Sequence, residues 1–324
     1  MAREDDLPAL APDAPRSSAD SVTRAHKDYQ TLCESMPGEL ELSEHLQASQ
    51  HFWFARWSWV DEGRREQAIS YMDAAISLAP SNPVFRWQRA DFLMQLENWG
   101  RALQDCEAWV RLRPNDARAY FSRGYCYEHT HEGQQVAYER AVLDYSKAIE
   151  LNSATALYYA QRGKCLAETD RPVEALADFT RWVELRPSVK AYQVRGACLL
   201  ALGQFEKAAS DFTASIAIEP NDVDTLFLRA ECYASIGMRQ AAIEDWDAIL
   251  NLQPENAKAY SRRGVCQVER GKYTRAIEDY GEAIELKPEQ ALYYLLRAEA
   301  CRHLAEADEA RARELKERKA RSTD

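Results

Sequence analysis

An alanine recurs at a nearly constant spacing along most of this chain of 324 residues. The series comprises Ala68, Ala102, Ala141, Ala175, Ala208, Ala242, Ala276 and Ala310, with separations of 34, 39, 34, 33, 34, 34 and 34 residues. A proline stands twelve residues after six of these anchoring alanines, at Pro80, Pro114, Pro187, Pro220, Pro254 and Pro288. Self-similarity at this period is typical of arrays in which each unit packs on its neighbours. We therefore expect a repeat array rather than ordinary globular domains.

Each unit has the pattern of two helices joined by short turns. Between Ala259 and Pro288, large side chains recur at helical spacing in two runs. Gly271 separates the runs, and Pro288 ends the second because proline cannot continue a helix. The composition agrees with an all-α class, since glycine and proline number only 12 each and 46% of the residues are hydrophobic.

A small residue occupies the middle of the first helix in the last seven units, at Ala90, Gly124, Gly163, Gly196, Ala230, Gly264 and Ala298. Close approach of two helices requires small side chains at the contact. With its recurrent small residue, alanine, aromatic residue and proline, the chain resembles tetratricopeptide repeat proteins over residues 49–324. The resemblance implies an all-α, right-handed superhelical solenoid of antiparallel helix pairs, with the first helices lining a concave face. It also implies a module that binds a protein or peptide.

The repeat spacing divides the chain into a tail, a capping segment and eight units. We expect residues 1–19, which are rich in Ala, Pro and Asp, to be a disordered tail, and residues 20–48 to form an N-terminal helical capping segment. The units lie near 49–82, 83–116, 117–155, 156–188, 189–222, 223–256, 257–290 and 291–324. Five extra residues in the third unit are expected to lengthen its turn near residues 128–139. Residues 305–320 are charged on nearly every side and are expected to form a capping helix.

Arginines and aspartates recur with the repeat. The arginine precedes each small residue, at Arg89, Arg123, Arg162, Arg195, Arg229, Arg263 and Arg297, and the aspartate follows the anchoring alanine by three residues, at Asp105, Asp144, Asp178, Asp211, Asp245 and Asp279. Such pairs suit partly buried positions because guanidinium presents a planar fork to a carboxylate. Pairing within one unit and pairing between neighbours both fit the spacing, and an alternative hypothesis makes the arginines a ladder for anionic ligands. Arg297 has Arg313 at the aspartate position of its own unit, so only Asp279 is available to it.

Aromatic residues are concentrated in the first helices of the N-terminal units. By the repeat spacing, Trp53, Trp87 and Phe121 are equivalent, and the family resemblance places them on the concave face. Trp, Tyr and Arg are enriched among residues that dominate binding energy. The predicted partner-binding residues are Trp53, Trp57, Trp87, Asp91, Phe121, Tyr125 and Glu128, with Asp91 and Glu128 favouring basic groups on the partner.

Two alternatives to this aromatic surface stay open. An N-terminal helix around Tyr29 and Leu32 could cover the aromatic residues permanently, so that they serve only packing. A secondary candidate surface contains Lys258 and Arg262, which are four residues apart and share a helical face. The alternative is that Lys258 and Arg262 are solvated surface charges with no role in binding.

Charge, targeting signals and cysteine spacing narrow the class of protein. The net charge of −11 disfavours nucleic acid or an anionic membrane surface as a partner. The N-terminal sequence lacks the basic start and apolar run of a secretory signal, and we expect a cytoplasmic location. Five of the eight cysteines recur one repeat apart, too far for disulfides, and no C-x-x-C pair occurs. His129 and His131 lack a third ligand, so the sequence predicts neither a metal nor a cofactor.

Catalytic motifs are missing from the sequence. It contains no G-x-x-x-x-G-K-S/T phosphate loop, no G-x-S-x-G elbow and no H-E-x-x-H helix. The predicted function is therefore a non-enzymatic interaction module or scaffold that binds a protein or peptide in the concave groove. A dedicated regulatory subunit that sequesters a single partner is the alternative, and a nucleic-acid-binding helical repeat is a third hypothesis that the acidic charge disfavours.

Overall fold

The computed structural model describes residues 40–130 and 133–321, and these residues form fifteen α-helices and no strand. The helices are α1 (Leu40–Trp59), α2 (Arg65–Leu78), α3 (Pro83–Gln95), α4 (Trp99–Leu112), α5 (Ala117–His129), α6 (Gln134–Leu151), α7 (Ala156–Glu168), α8 (Pro172–Leu185), α9 (Val189–Ala201), α10 (Phe205–Ile218), α11 (Val223–Ser235), α12 (Arg239–Leu252), α13 (Ala257–Glu269), α14 (Tyr273–Leu286) and α15 (Ala291–Arg321). The predicted all-α class is confirmed. The expected tail, residues 1–19, lies outside the described residues, and so do residues 20–39 of the expected capping segment. Residues 40–48 belong to α1 rather than to a separate segment.

The chain divides into two compact units between Leu112 and Arg113. The N-terminal unit contains repeats 1 and 2, which are α1 with α2 and α3 with α4. The C-terminal unit contains repeats 3 to 7, from α5 with α6 to α13 with α14, followed by α15. Within each unit every helix packs on the helix before it and the helix after it. This is the nearest-neighbour packing expected of a solenoid.

Capping side chains and a left-handed turn residue set the helix boundaries. The side chains of Asn82, Asp116, Ser188 and Asn256 each accept a hydrogen bond from a backbone N–H at the start of a first helix. The turn to the second helix requires a positive φ, which Gly203, Gly237 and Gly271 adopt at 70°, 82° and 70°. Glycine takes this conformation without steric cost.

The last repeat has no such turn. Its residue at the position of Gly271 is Ala305, and α15 runs through it without a break from Ala291 to Arg321. Alanine favours the helix and disfavours positive φ, so the second helix continues the first. The expectation that residues 305–320 form a separate capping helix is therefore corrected: they belong to the charged end of α15, which is exposed over residues 305–318.

The extra residues of repeat 3 are distributed differently from the prediction. The helix α6 has 18 residues, whereas the other second helices, such as α14, have 14. Four residues connect α5 to α6, compared with three between α13 and α14. The insertion thus adds about one helical turn to α6 and only one residue to the connection.

Small residues allow the two helices of each repeat to touch. The anchoring alanines from Ala68 to Ala276 are completely buried. A Cβ atom at Gly264 would lie 2.7 Å from Cε1 of Tyr280, and one at Gly163 would lie 2.7 Å from Cε1 of Phe179. The first helix therefore packs against the aromatic side chain of the second with no room for a methyl group.

Six of the seven recurring arginines each pair with the aspartate of their own repeat. In repeat 5, Nε and Nη2 of Arg195 donate to the two carboxylate oxygens of Asp211 at 2.7 and 2.6 Å. Arg89, Arg123, Arg162, Arg229 and Arg263 pair in the same way. Four arginines also reach the preceding repeat through Nη1. Arg89 donates to Asp73 and Arg263 to Asp247, each at 2.5 Å, whereas Arg162 and Arg229 donate to the hydroxyls of Ser146 and Thr213 at 3.0 and 3.2 Å. These six Arg–Asp pairs, which we call the ladder, are therefore internal structural contacts. The aspartates bind the guanidinium groups that an anionic ligand would need.

The expected pair between Arg297 and Asp279 does not form within the described residues. Both oxygens of Asp279 already accept hydrogen bonds from Arg263. The residue of α14 that corresponds to Asp247 is Gly281, which has no side chain to offer. The guanidinium of Arg297 instead lies 5.7 Å from the ring centroid of Tyr294.

The recurring cysteines behave as small apolar side chains. Cys106, Cys126, Cys165, Cys198, Cys232 and Cys266 are buried, whereas Cys301 is exposed on α15. Burial raises the pKa of the Cys232 thiol to about 11, which keeps it protonated at neutral pH. No helix in the described part of the chain is both long enough and apolar enough to cross a membrane.

Candidate functional site

The tryptophans of α1 are the most exposed of the predicted aromatic residues. Trp53 is 62% exposed and Trp57 is 40% exposed, and Val60 continues their face at 84%. The guanidinium of Arg56 lies 5.5 Å from the ring centroid of Trp53, and that of Arg64 lies 5.5 Å from Trp57. Arginines thus partly cover a surface that is otherwise apolar.

Repeat 1 has a register that differs by one residue from the predicted register. Its completely buried small residue is Ala55, one residue before Arg56. Phe54 packs against Tyr71 with ring centroids 5.5 Å apart, which places it where later repeats have the arginine of the ladder. The connection from α1 to α2 includes an extra 3-10 turn, Glu62–Arg64, which absorbs the shift. The predicted equivalence of Trp53 with Trp87 is therefore wrong: Phe52 corresponds to Trp87, and Arg56 corresponds to Asp91.

Asp91 and Trp87 are engaged within the N-terminal unit. Oδ2 of Asp91 accepts hydrogen bonds from the side-chain amides of Gln88 at 3.4 Å and Gln95 at 3.1 Å. Burial raises the pKa of Asp91, and the positive charge of Arg56 opposes that rise. Trp87 is half-buried, with its ring centroid 6.3 Å from that of Trp109. Neither side chain is presented freely to a partner.

Phe121 and Tyr125 are half-buried on α5 in the C-terminal unit. The ring of Phe121 packs between those of Tyr145 and Tyr158, with centroid distances of 5.5 and 5.1 Å. The ring of Tyr125 packs at 4.2 Å on His129, whose Nδ1 lies 2.8 Å from the carbonyl oxygen of Tyr125. His131, the other histidine considered for a metal, lies outside the described residues.

Glu128 is buried, which corrects its predicted role of attracting basic groups on a partner. Its carboxylate accepts hydrogen bonds from Nζ of Lys164 at 2.5 Å and from the hydroxyl of Tyr145 at 3.0 Å. Burial raises the pKa of Tyr145, and the charge of Glu128 raises it further. A buried carboxylate needs such partners inside the protein. Glu128 therefore stabilises the contact between α5, α6 and α7.

Lys258 and Arg262 both reach back from α13 to α11. Nζ of Lys258 lies 4.1 Å from the ring centroid of Phe227, and Nε of Arg262 lies 3.1 Å from Oε1 of Glu231. These contacts account for the pair better than simple solvated charge does. The secondary candidate surface is thus a link between neighbouring first helices.

A groove that the sequence reasoning missed lies between α9 and α11. We call it the α9–α11 groove; it has a volume of about 620 Å³ and is lined by Val189, Lys190, Gln193, Val194, Ala197, Glu219, Asp222, Asp224, Thr225 and Leu228. Its apolar side chains come from the first helices of repeats 5 and 6. The carboxylates come from the connection between α10 and α11 and from the first turn of α11.

A hydrogen-bond network fixes one carboxylate at this groove. Nε2 of Gln193 donates to Oδ2 of Asp222 at 2.7 Å and to Oγ1 of Thr225 at 2.9 Å. The Thr225 hydroxyl, which is buried, donates to the same oxygen of Asp222. The other oxygen, Oδ1, has no hydrogen-bond partner within the described residues. Asp222 is therefore oriented, with one oxygen still able to accept a hydrogen bond.

The groove is electrostatically negative. Glu219, Asp222 and Asp224 contribute three carboxylates, whereas Lys190 contributes the single positive charge of the lining. None of these four side chains forms an ion pair in the part of the chain that the structure describes. Apolar walls beside unpaired carboxylates suit a side chain with an aliphatic stem and a cationic end.

Comparisons with known proteins identify the repeat. Models of the tetratricopeptide repeat family match residues 59–117, 189–222 and 257–290. A segment of 88 residues is 41% identical to serine/threonine-protein phosphatase 5 of Rattus norvegicus, and this match covers 27% of the chain and 18% of the phosphatase. The chain therefore spans less than a fifth of that curated relative.

Solved structures show the same fold. The C-terminal part of a tetratricopeptide repeat-containing protein from Cytophaga hutchinsonii superposes with a TM-score of 0.62 at 16% identity, covering 76% of this chain and 98% of that one. YrrB, described as a tetratricopeptide repeat protein with an unusual peptide-binding site, gives a TM-score of 0.54 at 23% identity and covers 60% of this chain and 97% of its own. At these identities the likeness concerns the fold alone. Together with the family matches and the repeated helix pairs, it shows that the chain is a tetratricopeptide repeat protein.

Proposed function

We propose that the chain is a protein-interaction module whose α9–α11 groove binds a peptide segment that carries a lysine or arginine side chain. The proposal rests on the lining of the groove. Three carboxylates that form no ion pair within the described residues lie beside apolar side chains there. The network around Asp222 prearranges an acceptor, which lowers the entropic cost of binding. The family resemblance supports binding as the general role.

A lysine or arginine side chain fits the groove in a definite orientation. Its methylene groups would pack on Val194, Ala197 and Leu228, and its cationic end would reach Asp222 and Asp224. The charge-assisted hydrogen bond to Asp222 supplies direction, while the apolar contact supplies buried area. A partner with an acidic segment would meet like charges and be rejected.

Fluorescence anisotropy with the full chain tests the proposal. The probes are two fluorescein-labelled peptides, Gly-Ser-Leu-Lys-Leu-Ser-Gly and the same peptide with glutamate in place of lysine. We expect the lysine peptide to bind at least tenfold more tightly, since a single close charge pair contributes about 1.5 kcal/mol or more. We also expect its affinity to fall as salt is raised, because the groove is open to solvent.

A double variant locates the binding. Asp222→Asn with Asp224→Asn keeps the side-chain shapes and is expected to weaken the lysine peptide by about tenfold or more. The control is Glu282→Gln with Glu285→Gln, which makes the same change in net charge on the exposed surface of α14. Equal binding of both peptides, or equal weakening by the two double variants, would refute the assignment.

A scaffold for several partners and a dedicated regulatory subunit differ in stoichiometry. Light scattering of the complex purified from the native host distinguishes a single tight partner from several. Cys165, Cys198, Cys232 and Cys266 are buried and form no disulfide within the described residues, which supports a reducing compartment such as the cytoplasm.

A further inference from the structure

The outer face of α15 is exposed, although the corresponding face of the earlier first helices is buried. Ala298 has the position of the small residue that packs on the second helix of its own repeat, and that residue is buried in repeats 2 to 7. In the last repeat α15 continues straight through Ala305, and no second helix returns to cover Ala298 within the described residues. Ala298 is therefore exposed, and so are its neighbours on this face, Tyr294, Leu295 and Cys301.

The inner face of α15 already has a partner. Tyr293, Leu296 and Ala300 pack against buried residues of α14. The ring of His303 stacks on that of Tyr273, with centroids 5.7 Å apart. At 3.6 residues per turn these side chains and Ala298 lie on different sides of the helix. The outer face of α15 can therefore accept a further helix without displacing α14.

A seven-residue pattern follows this outer face along α15. Larger apolar side chains, the exposed Tyr294, Leu295 and Leu315, flank a row of alanines. A seven-residue repeat keeps one stripe of a helix facing a partner helix, and small residues in the stripe allow the two backbones to approach closely. The row consists of Ala291, Ala298, Ala305 and Ala312.

The apolar part of this face is complementary to itself in an antiparallel pair. When two copies of α15 are placed antiparallel with a twofold axis beside Ala305, the two Ala305 residues meet at the axis. Ala298 of one copy then meets Ala312 of the other, and Tyr294 meets Leu315 on one side of the row. In a twofold interface residue i contacts residue j while j contacts i, so each of these contacts occurs twice.

The charges on the other side of the row agree with the same arrangement. Arg302 of one copy lies beside Glu309 of the other, and the methylene groups of Lys316 cover the exposed Leu295. In a parallel pair Arg302 and Glu309 would be about 10 Å apart along the axis, because they are separated by seven residues that each rise about 1.5 Å. Charge complementarity therefore favours a second copy of the chain, in the antiparallel direction, as the occupant of this face.

We propose that two copies of this chain associate through an antiparallel pair of α15 helices centred on Ala305. The second copy covers a face that the earlier repeats cover with their own second helix. Pairing also stabilises residues 305–318, which are exposed on all sides in one copy, since helices in proteins gain most of their stability from packing. The proposal is independent of the α9–α11 groove, to whose lining α15 contributes no residue.

Sedimentation equilibrium of the full chain tests the pairing, and we expect a reversible equilibrium between one copy and two. Ala305→Lys places two ammonium groups beside each other at the axis and is expected to weaken dimerisation by about tenfold or more. Ala307→Lys is the matched control, because Ala307 is exposed and lies on the opposite side of the same helix. It is expected to leave dimerisation unchanged. Circular dichroism verifies that both variants keep their helix content.

A charge exchange tests the direction of the pair. Arg302→Glu alone and Glu309→Arg alone each bring like charges together twice and are expected to weaken dimerisation by about fivefold. The double variant restores opposite charges and is expected to recover most of the affinity. A mass of one copy up to about 100 μM would overturn the proposal. So would equal effects of Ala305→Lys and Ala307→Lys, or a double variant that dimerises no better than the single variants.

Discussion

Replacing Asp211 with alanine is expected to lower the free energy of unfolding by about 2–4 kcal/mol. The carboxylate of Asp211 is buried and binds Arg195 through two short hydrogen bonds. Arg195 has no second carboxylate partner within the described residues, unlike Arg89 and Arg263. Removing one member of a buried pair costs about 3–5 kcal/mol, and the partial exposure of Arg195 reduces that cost. Urea unfolding followed by circular dichroism measures the change.

Two variants separate the pair from a general effect of charge. Asp224→Ala removes an exposed aspartate from the first turn of a neighbouring helix and is expected to change stability by less than about 0.5 kcal/mol. Arg195→Met combined with Asp211→Leu removes both charges and is expected to recover most of the loss. If Asp211→Ala cost no more than Asp224→Ala, the ladder would have no stabilising role.

Replacing Gly264 with alanine is expected to destabilise the chain by about 1–3 kcal/mol, the usual cost of overpacking. The new Cβ would lie 2.7 Å from Cε1 and 3.0 Å from Cζ of Tyr280. Tyr280 is almost completely buried, so its ring has little freedom to move away. The overlap therefore outweighs the gain in helix propensity that alanine normally brings. Thermal and urea unfolding both report the change.

Gly281 provides the matched substitution on the adjacent helix. A Cβ there meets nothing within 4 Å, and the residue lies in the interior of α14. Gly281→Ala is expected to raise the free energy of unfolding by about 0.5–1 kcal/mol, since alanine loses less backbone entropy. The two substitutions are thus expected to change the free energy of unfolding in opposite directions, which distinguishes the effect of close helix contact from that of helix propensity. Stabilisation by both substitutions would contradict the packing described for Gly264.

The fold could be predicted from the sequence because the same pattern recurs in successive units. The small residue, the anchoring alanine and the proline return in most units, and the local helix signals agree with the packing. The continuous α15 was not predicted, because Glu97 and Asp170 also replace the turn glycine and yet take a positive φ in repeats that keep the turn. The register of repeat 1 was not predicted either, because counting back from Ala68 cannot detect the additional turn Glu62–Arg64.

The groove could not be found from spacing alone. Its walls come from two helices in different repeats, and its acceptor is oriented by bonds among Gln193, Asp222 and Thr225. These contacts depend on how neighbouring repeats pack. The available signal was three carboxylates within six residues, Glu219, Asp222 and Asp224, beside the proline of repeat 5. The aromatic residues of α1 favoured that helix as the predicted site instead.

Site-specific photo-crosslinking in native lysate tests whether the α9–α11 groove binds a partner. The full chain carries benzoylphenylalanine in place of Ala197, in the α9–α11 groove, or in place of Ala217, which is exposed on the second helix α10. We predict that position 197 crosslinks to a partner at a segment containing lysine or arginine, and that excess lysine peptide competes with this product. Position 217 is predicted to give no competed product. Equal crosslinking from both positions, or crosslinks at position 197 that the lysine peptide leaves unchanged, would contradict binding in this groove.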